Sequence, residues 1–226
     1  MNTRFLNFDK RPVEENIQPE SDFWNEDTSR LICFETSDWS TSTHSNDNLA
    51  LRPTLLAMSP TLLHPFHLHH SYIANEESLY NWVQHPNSIS SKVPFVYMAF
   101  HGIPGGITYD NNNSGSGIDE LVHPFISATE AKRVIYIGAC SVFRGSEGEL
   151  LAQHLLEQSK SEAVLGYSSN AKWYDATFLD LLFISRFYNS PAPFYELKEI
   201  YKSVIDDFAP AKTIGLKMFS RTELLV

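Results

Sequence analysis

Two cysteines and nine histidines carry most of the nucleophilic and proton-accepting chemistry of this 226-residue sequence. One of each stands at the end of an apolar run. Phe95-Val96-Tyr97-Met98-Ala99-Phe100 leads into His101-Gly102, and Val134-Ile135-Tyr136-Ile137-Gly138-Ala139 leads into Cys140-Ser141. A thiol attacks a carbonyl as its thiolate, and a nearby imidazole generates that thiolate at neutral pH. Either residue alone reads as structural; the pair reads as a nucleophile and its base. Gly102 leaves its N–H unshielded and lets a substrate backbone approach. With the N–H of Cys140 it could hold the oxyanion of a tetrahedral intermediate. Gly138 and Ala139 reduce crowding beneath the sulfur, and Gly105-Gly106 suggest a pliable loop over it. Cys33, inside Leu31-Ile32-Cys33-Phe34, reads as a small buried apolar residue.

The elements that must position this pair follow from periodicity. Arg30 to Thr36 is a first core strand, followed by a polar loop over Ser37 to Asn48. Leu49 to Leu63 has helical apolar spacing, limited by Pro53 and Pro60. Pro65 to Ile73 alternates as a strand does. Asn75 is an N-cap, Glu76-Glu77 suit a first helical turn, and Leu79, Trp82 and Val83 form that helix's buried face. The runs at Pro94 to Phe100 and Val134 to Ala139 have the continuous apolar character of strands covered on both sides, as in parallel sheets. A Gly/Asn-rich loop and a helix of about a dozen residues from Ile118 separate them. Ala163 to Tyr167 is a fifth strand and Thr213 to Phe219 a sixth. Helices are predicted over Glu147 to Gln158, Tyr174 to Tyr188 and Phe194 to Phe208.

Strands alternating with helices predict an α/β domain over residues 30–226. Its sheet is six-stranded and mostly parallel, with helices on both faces. A polar, irregular extension over residues 1–29 precedes it. Ligands bind beyond the carboxyl ends of strands in such sheets, which is where His101 and Cys140 stand.

Composition narrows the function. A hydrophobic fraction of 42% suits a globular protein. No apolar run approaches the roughly 18 residues of a membrane span, and Met1 to Lys10 lacks the apolar core of a signal peptide. The expectation is a cytoplasmic protein with no membrane contact. A net charge of −10 without a basic cluster argues against nucleic acid. Two cysteines make no disulfide framework and no cysteine-based zinc site. Neither Gly-x-Gly-x-x-Gly nor Walker A occurs, and no cofactor is implied.

Val96-Tyr97-Met98-Ala99-Phe100-His101-Gly102 resembles the strand-then-His-Gly motif of caspase-like cysteine peptidases, and Val134 through Ser141 resembles their strand ending in Ala-Cys. The order, His before Cys, is the same. The separation of 39 residues is shorter than the roughly 50 of caspases. Gly138 stands where the caspase pentapeptide has Gln, and Ser141-Val142 follow the Cys, so the sequence is more similar to the bacterial CHAT and separase-related branch. Trp173-Tyr174-Asp175, opening a helix with Phe178, Phe183, Phe187 and Tyr188, is similar to a stretch of that branch. The resemblance, over residues 30 to 190, implies a three-layer caspase-like fold and cleavage of a protein or peptide substrate. It implies Cys140 as nucleophile, His101 as base, and Gly102 as oxyanion donor. Trp173, Asp175 and Ser141 are then candidate substrate contacts, and a regulatory protein partner is implied. Caspases hold an acidic substrate side chain with basic residues, and separase-like members hold Arg with acidic ones. The acidic balance and Asp175 lean towards a basic side chain.

Two other readings compete. A caspase-like domain can be a silent scaffold or sensor. His64, His67, His69 and His70 form a second cluster, in which His67 and His69 share a strand face. With a third ligand they could hold zinc for a metal-dependent hydrolase, His101 being one such ligand.

Overall fold

A computed structural model describes residues 24–25, 29–36, 51–84, 92–109, 115–126 and 132–221. The chain lays down β1 (Arg30–Thr36), α1 (Leu51–Met58), β2 (His67–Ile73), α2 (Glu76–Gln84) and β3 (Phe95–Ala99). Three short strands follow: β4 (His101–Ile103), β5 (Gly106–Thr108) and β6 (Gly115–Ser116). Then come α3 (Ile118–Val122), β7 (Val134–Gly138), α4 (Gly145–Ser159) and β8 (Ala163–Tyr167). The described chain closes with α5 (Trp173–Asn189), α6 (Leu197–Asp207), α7 (Pro210–Ile214) and β9 (Leu216–Ser220).

Six of the strands form one sheet in the order β2-β1-β3-β7-β8-β9. All neighbours are parallel except β8 and β9. Successive side chains of a strand face opposite ways, so β3 feeds two cores. Phe95, Tyr97 and Ala99 pack with Leu55 of α1, Phe183 of α5 and Val204 of α6. Val96 and Met98 pack with Leu79 of α2, Leu121 of α3 and Leu151 of α4. The result is three layers, with the parallel strands buried on both faces as their unbroken apolar runs require. The first core is aromatic: the Phe95 ring lies 5.1 Å from Phe187, and Tyr136 lies 5.5 Å from Phe183. Each such ring removed from water is worth roughly 1.5–3 kcal/mol.

The Asn75 cap forms as expected. Its Oδ1 accepts from the Ser78 N–H at 2.8 Å, and Ser78 Oγ accepts from the Asn75 N–H at 3.1 Å. Trp82 departs from the expected buried face: it is 44% exposed, while Leu79 and Val83 are buried. The helix from Ile118 is a short one. Pro124 lacks an N–H and disfavours α geometry in the residue before it, so the chain passes into a 3-10 turn over His123–Phe125. The segment expected to be a pliable loop is instead a small antiparallel sheet, β4-β5-β6. Its first hairpin turns at Pro104-Gly105, with Gly105 at φ +71°, a left-handed conformation that glycine adopts without steric cost. A further short helix, α7, precedes the last strand, which begins at Leu216 rather than Thr213.

The Ser37–Asn48 loop and most of the 1–29 extension lie outside the described residues. Trp24, within that extension, donates from Nε1 to the Ser190 carbonyl at 3.0 Å and stacks on His64 at 4.9 Å. Among the described residues no helix is long and apolar enough to cross a membrane.

Candidate active site

β3 and β7 are hydrogen-bonded neighbours, and Ala99 stands opposite Gly138. His101 and Cys140 each follow two residues later, so both emerge from the same rim of the sheet. Both line one cavity of about 270 Å³, together with Leu51, Tyr97, Trp173 and Asp180. This is the juxtaposition that the two motifs require: two central strands deliver an imidazole and a thiol to shared space.

The sulfur of Cys140 is held from one side. The Ala171 N–H donates to Sγ at 3.3 Å, and the thiol reaches the Ala171 carbonyl at 3.6 Å. An N–H aimed at sulfur binds more strongly once the sulfur is charged. By contrast, Cys33 is fully buried, and burial, with Glu35 and Asp180 nearby, pushes its thiol well above its ordinary pKa.

Gly102 lies directly against Cys140. A Cβ built on it would stand 2.1 Å from the Cys140 carbonyl oxygen and 2.8 Å from the Cys140 nitrogen; no side chain fits there. Gly102 pairs with Ile107 one position away from the two-residue turn, and His101 pairs with Thr108. Antiparallel pairs alternate between bonded and non-bonded positions, so the Gly102 N–H points away from β5. A second tie joins the histidine and cysteine segments: the Gly105 N–H donates to the Val142 carbonyl at 3.0 Å.

Among solved structures, caspase-1 from Spodoptera frugiperda is similar to this chain, with a TM-score of 0.50 and 14% identity over 93% of each chain. The fold is caspase-like. At this identity the likeness concerns architecture alone: a mostly parallel six-stranded sheet between two layers of helices. No protein-family model matches the sequence, and no curated protein matches it.

On this caspase-like frame the other expected site residues part company. Trp173, the first residue of α5, lines the cavity, its ring edge-on to Tyr174 at 5.2 Å. Ser141 does not line it. Its side chain is 4% exposed, with Oγ and Asn170 Oδ1 at 2.8 Å, and its N–H donates to the Ser169 carbonyl. It adopts φ +57°, a conformation that costs a non-glycine residue on the order of 1–3 kcal/mol. Ser141 thus anchors the sharp turn after Cys140 rather than touching the cavity. Asp175 is half-buried on the first turn of α5 and is not part of the lining.

The acid that does reach the cavity is Asp180, five residues on. It is 2% exposed and accepts hydroxyl hydrogen bonds from Tyr97, at 2.5 Å, and from Tyr167. Burial raises its carboxyl to about 7, against the opposing pull of those hydroxyls. The sequence carries a signal for it: one acid inside Phe178-Leu179-Asp180-Leu181-Leu182-Phe183 is out of place unless it is paired.

The histidine cluster does not converge. His67 and His69 are exposed on the edge strand, and His64 stacks on Trp24. His70 is engaged with Glu35 at 2.6 Å, both side chains buried. Glu35 also accepts from the Leu51 N–H at 3.1 Å, which fixes the start of α1 at the cavity wall. Among the described residues no group of three or more His, Cys, Asp or Glu side chains is arranged to hold a metal ion.

Proposed function

We propose that the chain is a cysteine endopeptidase related to the CHAT and separase branch, with Cys140 as nucleophile and His101 as general base. The observation that supports this is the shared cavity at the ends of β3 and β7, which both residues line. His101 takes the thiol proton as Sγ attacks the peptide carbonyl. The carbonyl oxygen becomes an oxyanion, and the N–H groups of Gly102 and Cys140 are the donors for it. Such donors typically contribute 10²–10³ in rate. Collapse breaks the C–N bond, and the imidazolium gives its proton to the leaving amine. A water deprotonated by His101 then hydrolyses the thioester and restores the thiol.

The substrate is a protein segment rather than a small molecule. Tyr174 and Phe178, exposed one turn apart on α5, are the apolar rim beside Trp173 on which residues flanking the scissile bond would lie. A regulatory partner and a cytoplasmic setting belong to the same reading.

Cleavage of a mixed peptide library, read by mass spectrometry, tests it. Wild-type protein cleaves and Cys140→Ala does not, with an unchanged circular dichroism spectrum. Cleavage surviving in a folded Cys140→Ala protein, or none by wild type in the presence of cell extract, refutes the proposal.

A further inference from the structure

β7 has two neighbours in the sheet, β3 on one side and β8 on the other. β3 brings His101 to the rim, and the chain leaving β8 brings Ala171, which lines the same cavity. Cys140 thus has an imidazole supplied from one flank and a backbone N–H from the other. Among the described residues, the hydrogen bonds of Sγ run to Ala171: its N–H lies 3.3 Å away and its carbonyl 3.6 Å. These two groups serve different states of the sulfur. The carbonyl accepts from the neutral thiol. Once the proton has passed to His101, the carbonyl has nothing to accept, and the N–H faces a negative charge. A hydrogen bond to a charged acceptor is roughly twice as strong as a neutral one, so the N–H favours the thiolate over the thiol.

An N–H helps in this way only if it is held in place. Residues 168–172 form neither helix nor strand, yet they are fastened on two sides. Ser168 donates from its N–H and from Oγ to the Gly215 carbonyl, each at 2.9 Å, and the Ser169 N–H donates to the Ile214 carbonyl at 3.0 Å. The Ser169 carbonyl accepts from the Ser141 N–H at 3.0 Å, and Ser141 Oγ donates to Asn170 Oδ1 at 2.8 Å. The segment is therefore tied to the end of α7 and to the turn after Cys140. Gly215 is fitted to the first tie. It sits at φ +69°, and a Cβ on it would stand 2.2 Å from Ser168 Oγ. A side chain there would strain the backbone and push Ser168 aside.

We propose that the Ala171 N–H is a further catalytic group, stabilising the Cys140 thiolate, and that Ser168 and Gly215 act through it as positioning residues. The roles rest on the peptidase reading above, but the test needs no substrate. Iodoacetamide alkylates the thiolate: an S–C bond forms as iodide leaves. The readout is the alkylation rate of the Cys140 peptide at pH 10 divided by the rate at pH 6.5, followed by mass spectrometry. That ratio reports ionisation and cancels access to the sulfur.

Ala171→Pro removes the N–H and raises the ratio about 10-fold, the effect of losing one hydrogen bond to a charged acceptor. Ala171→Gly keeps the N–H and the wild-type ratio. Should the proline variant fail to fold, a chain with lactic acid in place of Ala171 exchanges the N–H for an oxygen, leaves the side chain unchanged, and gives the same rise. Gly215→Ala and Ser168→Ala raise the ratio too, although neither residue lines the cavity. His101, Asp180, Tyr97 and Tyr167 share the cavity with Cys140 and are common to all these proteins, so the comparison removes their charges. A ratio within about twofold of wild type in the proline and lactic acid proteins overturns the inference. If those proteins still cleave peptides, the dyad stands without this N–H. An unmoved ratio in Gly215→Ala and Ser168→Ala refutes the positioning roles. A raised ratio in the Ala171 variants, with no peptide cleaved by wild type in cell extract, supports the thiolate contact and refutes the peptidase reading instead.

Discussion

Asp180→Asn removes a buried carboxyl that holds its proton to about pH 7. In the unfolded chain the same group ionises near 3.8. Between those values the folded state keeps a proton that the unfolded state has lost. Stability from this group is therefore complete at low pH and is lost as pH rises through about 7, at about 1.4 kcal/mol per unit. From pH 5 to pH 8 the wild type should lose about 2–3 kcal/mol relative to the variant. Asn is close in volume and can keep the Tyr97 and Tyr167 hydroxyls engaged, so the comparison isolates charge. The surrounding Tyr97, Tyr136, Tyr167 and Cys33 are all raised by burial and stay neutral over this range. Urea unfolding of both proteins at half-unit pH steps provides the difference curve. A constant difference from pH 5 to pH 8 would refute the reasoning, because it would mean that the carboxyl is ionised throughout and not desolvated.

Other perturbations follow from the same geometry. Gly102→Ala forces a methyl to 2.1 Å from the Cys140 carbonyl oxygen, and kcat/KM should fall by about 100-fold or more as the nucleophile and its oxyanion donors shift; a wild-type value would contradict the placement. Glu35→Ala removes the buried hydrogen-bond partner of His70 and of the Leu51 N–H and should cost about 1–3 kcal/mol or more in urea unfolding, as leaving buried polar groups unsatisfied does. Iodoacetamide should label Cys140 in native protein and leave the buried Cys33 untouched until denaturant is added; equal slow labelling of both would count against an activated thiol.

Much of the architecture was legible because the sheet is parallel and doubly covered. Strands of that kind are apolar at nearly every position, and Arg30–Thr36 and Ala163–Tyr167 could be bounded to the residue. The two strand ends located His101, Gly102 and Cys140 for the same reason. What escaped was set by distant partners. β4, β5 and β6 are two or three residues long and rich in glycine, with too few positions for a period to show; Gly102 is required there because Cys140 lies against it. Trp82 falls at a helical spacing that fits a buried face, yet it stays 44% exposed. Asp175 and Asp180 sit on one helix, and helical geometry places them on different sides, since five residues turn through about 500° rather than a whole number of turns. Only the neighbouring tyrosines, contributed by β3 and β8, reveal which acid is enclosed.

β3 and β7 are the third and fourth strands of six. Sheets fray from their margins, and amides at the centre exchange with solvent only when the whole domain opens. Damage to β2 or β9 therefore reaches the histidine and cysteine last. Mutations there should change how much protein survives in a cell while each surviving molecule works at full rate. A loss of specific activity without a loss of abundance would instead trace to the few loops at the inner rim.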